Sequence, residues 1–264
     1  VDIIPRFSMN TSFADIEKKE NRKDLIISIC VFLSGFSCFA QLYYFQPLLP
    51  DLAKDFILSA SESSFAISFS TLGMVFGLFT TMFVADRIPR KKMIGTGLLS
   101  SSIFSVAASF SPTFLPLILL SAAKGFLLSG ATSVSMAYIA EEVSSRNKGK
   151  IMGLYIAGNA LGGMAGRVIS SWIGALYTWR IASVSIGLIC ALFAILFLLF
   201  SPRSTNFMPR KESFHTLIIA NLQLITSKAL IPFYLTGGLI LGVFVSLYNY
   251  LGFYLTKAPF NFPE

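Results

Sequence analysis

Two basic residues, Lys124 and Arg167, stand inside otherwise uncharged apolar runs. An ionic side chain in such a setting needs a counter-charge, a polar cavity or a ligand, so both are candidates for a transport pathway. Arg167 could alternatively extend towards the nearer interface; Lys124 is too deep for that to be easy. The polar residues closing the first apolar run, Gln41, Tyr43, Tyr44 and Gln46, precede Pro47 and Pro50 and could line the same path. Aromatic side chains at such a position serve equally well as an interfacial belt. No acid falls inside any apolar run, so no proton carrier is visible; Asp51, Asp55 and Glu62 lie between the first run and the second. A membrane-embedded enzyme would need a His/Asp/Glu or Ser/His constellation within the runs, and there is none. Cys30, Cys38 and Cys190 have neither disulfide nor metal-ligand spacing and read as small packing residues. The sequence therefore implies no catalysis, no metal and no cofactor.

The elements that position these residues follow from composition. Hydrophobic residues make up 54% of the 264, charged residues 13%, and mean hydropathy is +0.70. A soluble domain carries about 25% charged residues, and half that supply cannot wet a surface of this size. The 26 Phe, against a single His and 2 Trp, suit a lipid-facing exterior. A membrane core about 30 Å thick takes roughly 20 apolar helical residues. Uncharged runs of that kind cover residues 25–50, 63–85 and 93–123, the last broken by Ser111-Pro112-Thr113. After that break a fourth span continues through Lys124 to residue 140. Further spans cover 151–173, 181–201 and 229–256, making seven. The first run is too long for a signal-peptide core and lacks a cleavage pattern. Lys124 lies about ten residues into its helix, or roughly 15 Å at 1.5 Å per residue, near the membrane midplane. Arg167 lies in the outer half of the fifth.

Basic residues set the orientation. The first arm, the second, fourth and sixth connections hold sixteen Lys and Arg; the opposite side holds three, Lys54, Arg180 and Lys257. The N-terminus is accordingly expected in the cytoplasm. The net charge of +8 is explained by an anionic inner leaflet, so the partner is a lipid bilayer and not nucleic acid. A seven-helix receptor or retinal protein would place its N-terminus outside and, for retinal, a lysine within the seventh helix; this chain does neither.

The second connection reads Asp86-Arg87-Ile88-Pro89-Arg90-Lys91-Lys92. It resembles the signature loop of the major facilitator superfamily, Gly-x-x-x-Asp-Arg-x-Gly-Arg-Arg/Lys, with Met82 and Pro89 in place of both glycines. The resemblance implies a gating loop of Asp86, Arg87 and Arg90, with Glu141 and Glu142 at the inner end of the fourth helix as acidic partners and Arg146 just beyond. The fifth helix carries Gly153, Gly162 and Gly166 at the spacing of the superfamily's antiporter motif, although Arg167 replaces its proline and Ser170-Ser171 its last glycines. Gly158, Gly162 and Gly166 also make a four-residue ladder that would let helix backbones approach closely.

The stretches Gln41-Leu42-Tyr43-Tyr44-Phe45-Gln46-Pro47, Met152-Gly153-Leu154-Tyr155-Ile156-Ala157-Gly158-Asn159 and Leu247-Tyr248-Asn249-Tyr250 are similar to bacterial YnfM-like inner-membrane transporters. This likeness implies an all-α membrane protein of the major facilitator superfamily fold in the inner (plasma) membrane. It also implies proton-coupled efflux of a small drug- or sugar-like molecule, with Asn159, Tyr248 and Asn249 added to the path. The expected organisation is a cytoplasmic arm (1–24), a six-helix N-terminal bundle (25–201), an inner linker (202–228) with His215 inert at the surface, and a seventh transmembrane helix with the start of a second half (229–264). Superfamily transporters have twelve helices in two halves, so the chain is expected to be a fragment, or half of a split transporter without activity of its own.

Overall fold

The computed structural model describes residues 6–209 and 214–255, with side chains from residue 18 onward except at 214, 215, 217, 220, 221 and 252. Expectations resting on Arg6, Arg210, Lys211, the His215 side chain, Lys257 and residues after 255 lie outside the described residues. Every regular element among those described is helical. In order they are α1 (Arg6–Tyr43), α2 (Leu49–Asp55), α3 (Ala60–Ser63), α4 (Phe65–Val84), a single 3-10 turn (Ala85–Arg87), α5 (Arg90–Ser109), α6 (Phe114–Glu142), α7 (Lys148–Leu176), α8 (Trp179–Phe200), α9 (Phe214–Ile225) and α10 (Ile231–Leu255).

Local chemistry explains the boundaries. The first helix ends at Tyr43 and not at residue 50, as the apolar run suggested. Pro47 lacks an N–H and disfavours helical backbone at Gln46, so residues 44–48 form a turn, and Pro50 is accommodated in the first turn of α2. The helix also runs back to Arg6, into the stretch expected to be an arm. Ser111-Pro112 separates α5 from α6, and Pro116 sits harmlessly in the first turn of α6, where its missing N–H has no partner to lose. Thr178 opens α8 by accepting a hydrogen bond from the Ile181 N–H at 3.3 Å.

Five of the seven long helices are apolar enough to cross a membrane by length and composition: those covering Lys18–Tyr43, Ala60–Arg87, Phe114–Glu142, Trp179–Phe200 and Ile231–Leu251. α5 and α7 have sufficient length, 20 and 29 residues, but serines, glycines and Arg167 dilute their apolar content. Packing accounts for this. α5 lies between α6 and α8, and α7 lies along α1 and α8. Small residues at these seams let helices close on one another where lipid offers no hydrophobic drive. The buried hydroxyls of α5 bond inward to their own helix, Ser101 and Ser102 both donating to the Leu98 carbonyl at 2.8 Å. Large side chains such as Phe76, Phe79, Trp172 and Leu199 point outward. Large apolar side chains thus cover the outside of the bundle, while its interior combines apolar clusters, such as Leu48, Leu98 and Phe197, with small hydroxyl residues at the seams.

Candidate substrate cavity

At one end of the bundle, the basic end, Arg90 is buried among acids. Its Nη2 lies 2.8 Å from Asp86 Oδ1 and 3.0 Å from Glu141 Oε1, and its Nη1 donates to the Ala85 carbonyl at 2.6 Å. The side chain therefore staples the turn after α4 to the end of α6. Of the two acids available to Arg90, it is Glu141 that pairs with it, and Glu142 does not. Glu142 turns the other way, onto Lys23 at 2.8 Å, and accepts from Thr205 Oγ1 at 2.9 Å and the Asn206 N–H at 2.7 Å. Adjacent positions on a helix differ by about 100° in direction, so Glu141 and Glu142 cannot serve one partner. Arg87 is exposed and has no partner among the described residues, and Arg146 lies exposed in the connection before α7.

Asp24, within the stretch expected to be a cytoplasmic arm, belongs to this end too. It is buried in α1 and accepts from the Ser144 N–H at 3.3 Å and Asn147 Nδ2 at 2.8 Å, tying α1 to the start of α7. Its sequence signal was an acid placed immediately before the first apolar run.

The centre of the bundle holds Lys124, which is 1% exposed. Its ammonium has no hydrogen-bond partner among the described residues and lies over the rings of Tyr44 and Phe45, 4.5 and 4.9 Å from their centroids. The expectation that Lys124 lines an open path is not met, because the turn after α1 folds its aromatic rings over it. Tyr44 and Gln41 are likewise interior. Tyr44 Oη pairs with Ser183 Oγ at 2.9 Å, and Gln41 bonds Ser37 at 3.3 Å and Ser105 at 3.2 Å.

The glycine ladder brings α7 against α1. A Cβ added at Gly158 would lie 2.5 Å from the Phe32 carbonyl oxygen, and one at Gly166 would lie 2.7 Å from Ala40 Cα. Gly162 meets the Phe36 backbone in the same way. Only glycine permits this approach. Gly153, which shares the antiporter-like spacing but not the ladder, faces open space; nine residues from Gly162 put it on another side of the helix.

Beyond the ladder the helices diverge around a cavity of about 590 Å³ between α1, α7 and α10. Phe39 and Tyr43 come from α1. Asn159, Gly163, Met164 and Arg167 come from α7, and Leu241, Phe244 and Tyr248 from α10. Arg167 dominates it. Its guanidinium stacks on Tyr43 at 4.5 Å and Tyr248 at 4.7 Å, and donates from Nη1 to the Gly163 carbonyl at 2.8 Å and from Nε to Gln46 Oε1. Gln46 in turn donates from Nε2 to Asn249 Oδ1 at 2.9 Å. Arg167 Nη2 and Asn159 Oδ1 are shielded from solvent and have no hydrogen-bond partner among the described residues. Of the residues expected along a path, Tyr43, Gln46, Asn159, Arg167, Tyr248 and Asn249 converge here; Gln41, Tyr44 and Lys124 do not.

The sequence profile of the Major Facilitator Superfamily matches residues 28–263. The chain belongs to the major facilitator superfamily. Among superfamily relatives it is 35% identical over 245 residues to an uncharacterized transporter of Buchnera aphidicola subsp. Schizaphis graminum, covering 93% of this chain and 59% of the relative. It is 35% identical over 236 residues to the inner membrane transport protein YnfM of Escherichia coli K12, covering 89% and 56%. The fold resembles a crystal structure of a bacterial homologue of the human lysosomal transporter Spinster, described as inward-facing and unoccupied, with a TM-score of 0.72 at 15% identity over 89% of this chain and 56% of that one. The chain spans under two thirds of the length of these relatives. It is a multi-pass membrane protein of a transporter family, with the superfamily fold expected from its signature loop.

Proposed function

We propose that this chain supplies the first bundle and seventh helix of a secondary transporter that exports a small molecule in exchange for protons. The observation that carries the reading is the α1–α7–α10 cavity with Arg167 in its wall. A pathway in this superfamily runs between two halves, and α10 stands where the second half would begin. The charge asymmetry supports placing the basic end in the cytoplasm of a bacterial inner membrane. The Gln46 bridge from Arg167 to Asn249 would then sit at the outer end, a closable contact between the bundle and α10. The Asp86–Arg90–Glu141 cluster would brace the inner end. Export is favoured over uptake by the glycine ladder of α7, which occupies the helix that carries the antiporter motif in relatives.

The test is retention of a fluorescent efflux substrate by cells lacking their main exporters. Cells expressing the chain joined to the last five helices of the Buchnera relative are expected to lose dye faster than controls, and collapse of the proton gradient should abolish the difference. Equal loss with and without the gradient would refute proton exchange, and no loss at all would refute export. Export by the unfused chain would show that the described half suffices.

A further inference from the structure

We propose that the cavity between α1, α7 and α10 binds aromatic carboxylates; the proposal rests on the transporter reading and narrows its substrate. Arg167 is the one charged side chain among the residues that line the cavity. A guanidinium carries five N–H donors in one plane. Nε is used by Gln46 and Nη1 by the Gly163 carbonyl, while Nη2 is shielded from solvent and meets no acceptor. Its Cζ lies 4.5 Å from the ring centroid of Tyr43, 4.7 Å from that of Tyr248 and 5.6 Å from that of Phe244. What the cavity meets is therefore a positive charge with no acid among the described lining residues to offset it, and the group that matches a guanidinium in shape and charge together is a carboxylate.

The rest of the lining selects the body of the ligand. Phe39, Phe244, Met164 and Leu241 offer apolar and aromatic surface, which takes a flat ring by stacking or edge contact. A sugar would bring many hydroxyls to walls that, apart from the tyrosines and Asn159, have nothing to pair with them, and buried hydroxyls without partners are costly. An organic cation would sit beside Arg167 with no carboxylate in the lining to offset it.

The chain, purified and placed in lipid nanodiscs, is titrated with 2-naphthoate, whose own fluorescence reports binding. Its neutral amide, the cation 2-naphthylmethylammonium and the non-aromatic cyclohexanecarboxylate are the comparison ligands. The expected result is saturable 2-naphthoate binding at least about ten-fold tighter than that of the amide, with the cation not competing and cyclohexanecarboxylate weaker. Arg167→Gln should remove the preference for acid over amide, whereas Arg167→Lys should weaken binding and keep the preference. Thermal unfolding of each variant establishes that it is folded, and Phe244→Leu, which leaves the charge intact, should lower affinity for the naphthyl ligands but not for cyclohexanecarboxylate. Amide binding as tight as acid, an acid preference surviving in Arg167→Gln, or no binding of any acid overturns the proposal. Tight binding of the cation instead would overturn it while leaving a transporter with another substrate, and the export assay judges that reading separately.

Discussion

Replacing Lys124 with methionine is expected to stabilise the bundle. The ammonium lies at the core, 1% exposed and without a hydrogen-bond partner. A lysine at the centre of a membrane helix costs about 2.5–3.5 kcal/mol on insertion scales. The rings of Tyr44 and Phe45 together return part of that, about 2 kcal/mol for a desolvated cation–π site. Methionine has nearly the same length, keeps the packing and leaves no donor stranded, so the net gain is about 0.5–1.5 kcal/mol. For a chain of this size that raises the melting temperature by roughly 1–6 °C. The assay is built into the protein, because Cys30, Cys38 and Cys190 are all buried free thiols and a thiol-reactive dye added during heating reports unfolding. A melting temperature that falls, or stays within a degree of the parent, would refute the reasoning and mean that the ammonium is compensated by something inside the bundle.

Three further outcomes test the ends of the bundle and its orientation. Cysteines placed at Arg90 and Glu141 should crosslink with a short reagent, and Arg90→Ala should cost about 1–3 kcal/mol in the same melting assay, less than a fully buried pair because its acids are partly hydrated. At the opposite end Asp55 accepts from Trp179 Nε1 at 2.9 Å and pairs with Arg180. The indole hydrogen bond, helped by Arg180, holds its carboxyl below the usual aspartate range. The stabilisation it supplies is thus complete above about pH 4, the unfolded value, and lost as pH falls through the lower folded value; Asp55→Asn should flatten that acid limb, and an unchanged profile would remove the contribution. A cytoplasmic-only reporter fused after Lys211 should be active and one fused after Glu264 silent; the opposite pattern would invert the assigned orientation.

The seven long helices were legible because uncharged runs of about 20 residues have few alternatives. The serine- and glycine-rich α5 and α7 were legible only as gaps between charges. What the sequence could not show was direction around each helix. Tyr43 lines the cavity, while Gln41 and Tyr44, on the same helical end, are bonded inside the bundle. One residue turns a side chain by about 100°, and which face meets a neighbour depends on helices far away in sequence. The depth of Lys124 could be counted along the chain, but its enclosure depended on a turn at Pro47 that folds two rings back over it. Gln46 was singled out as polar, yet its value as a bridge arises only because α10, some two hundred residues later, supplies Asn249.

The glycine ladder has a mechanical consequence for the cavity. With Gly158, Gly162 and Gly166 seated on the backbone of Phe32, Phe36 and Ala40, α1 and α7 cannot slide or rotate past each other without a collision of main chains. They pack as one unit, with Tyr43 and Arg167 side by side at its end. The opposing surface, Phe244, Tyr248 and Asn249, is carried by α10. In the proposed transporter, opening of the cavity by displacement of α10 would break the Gln46–Asn249 and Arg167–Tyr248 contacts and spare Arg167–Tyr43. One wall of the cavity would then act as an anvil that holds its charge in place while the other moves.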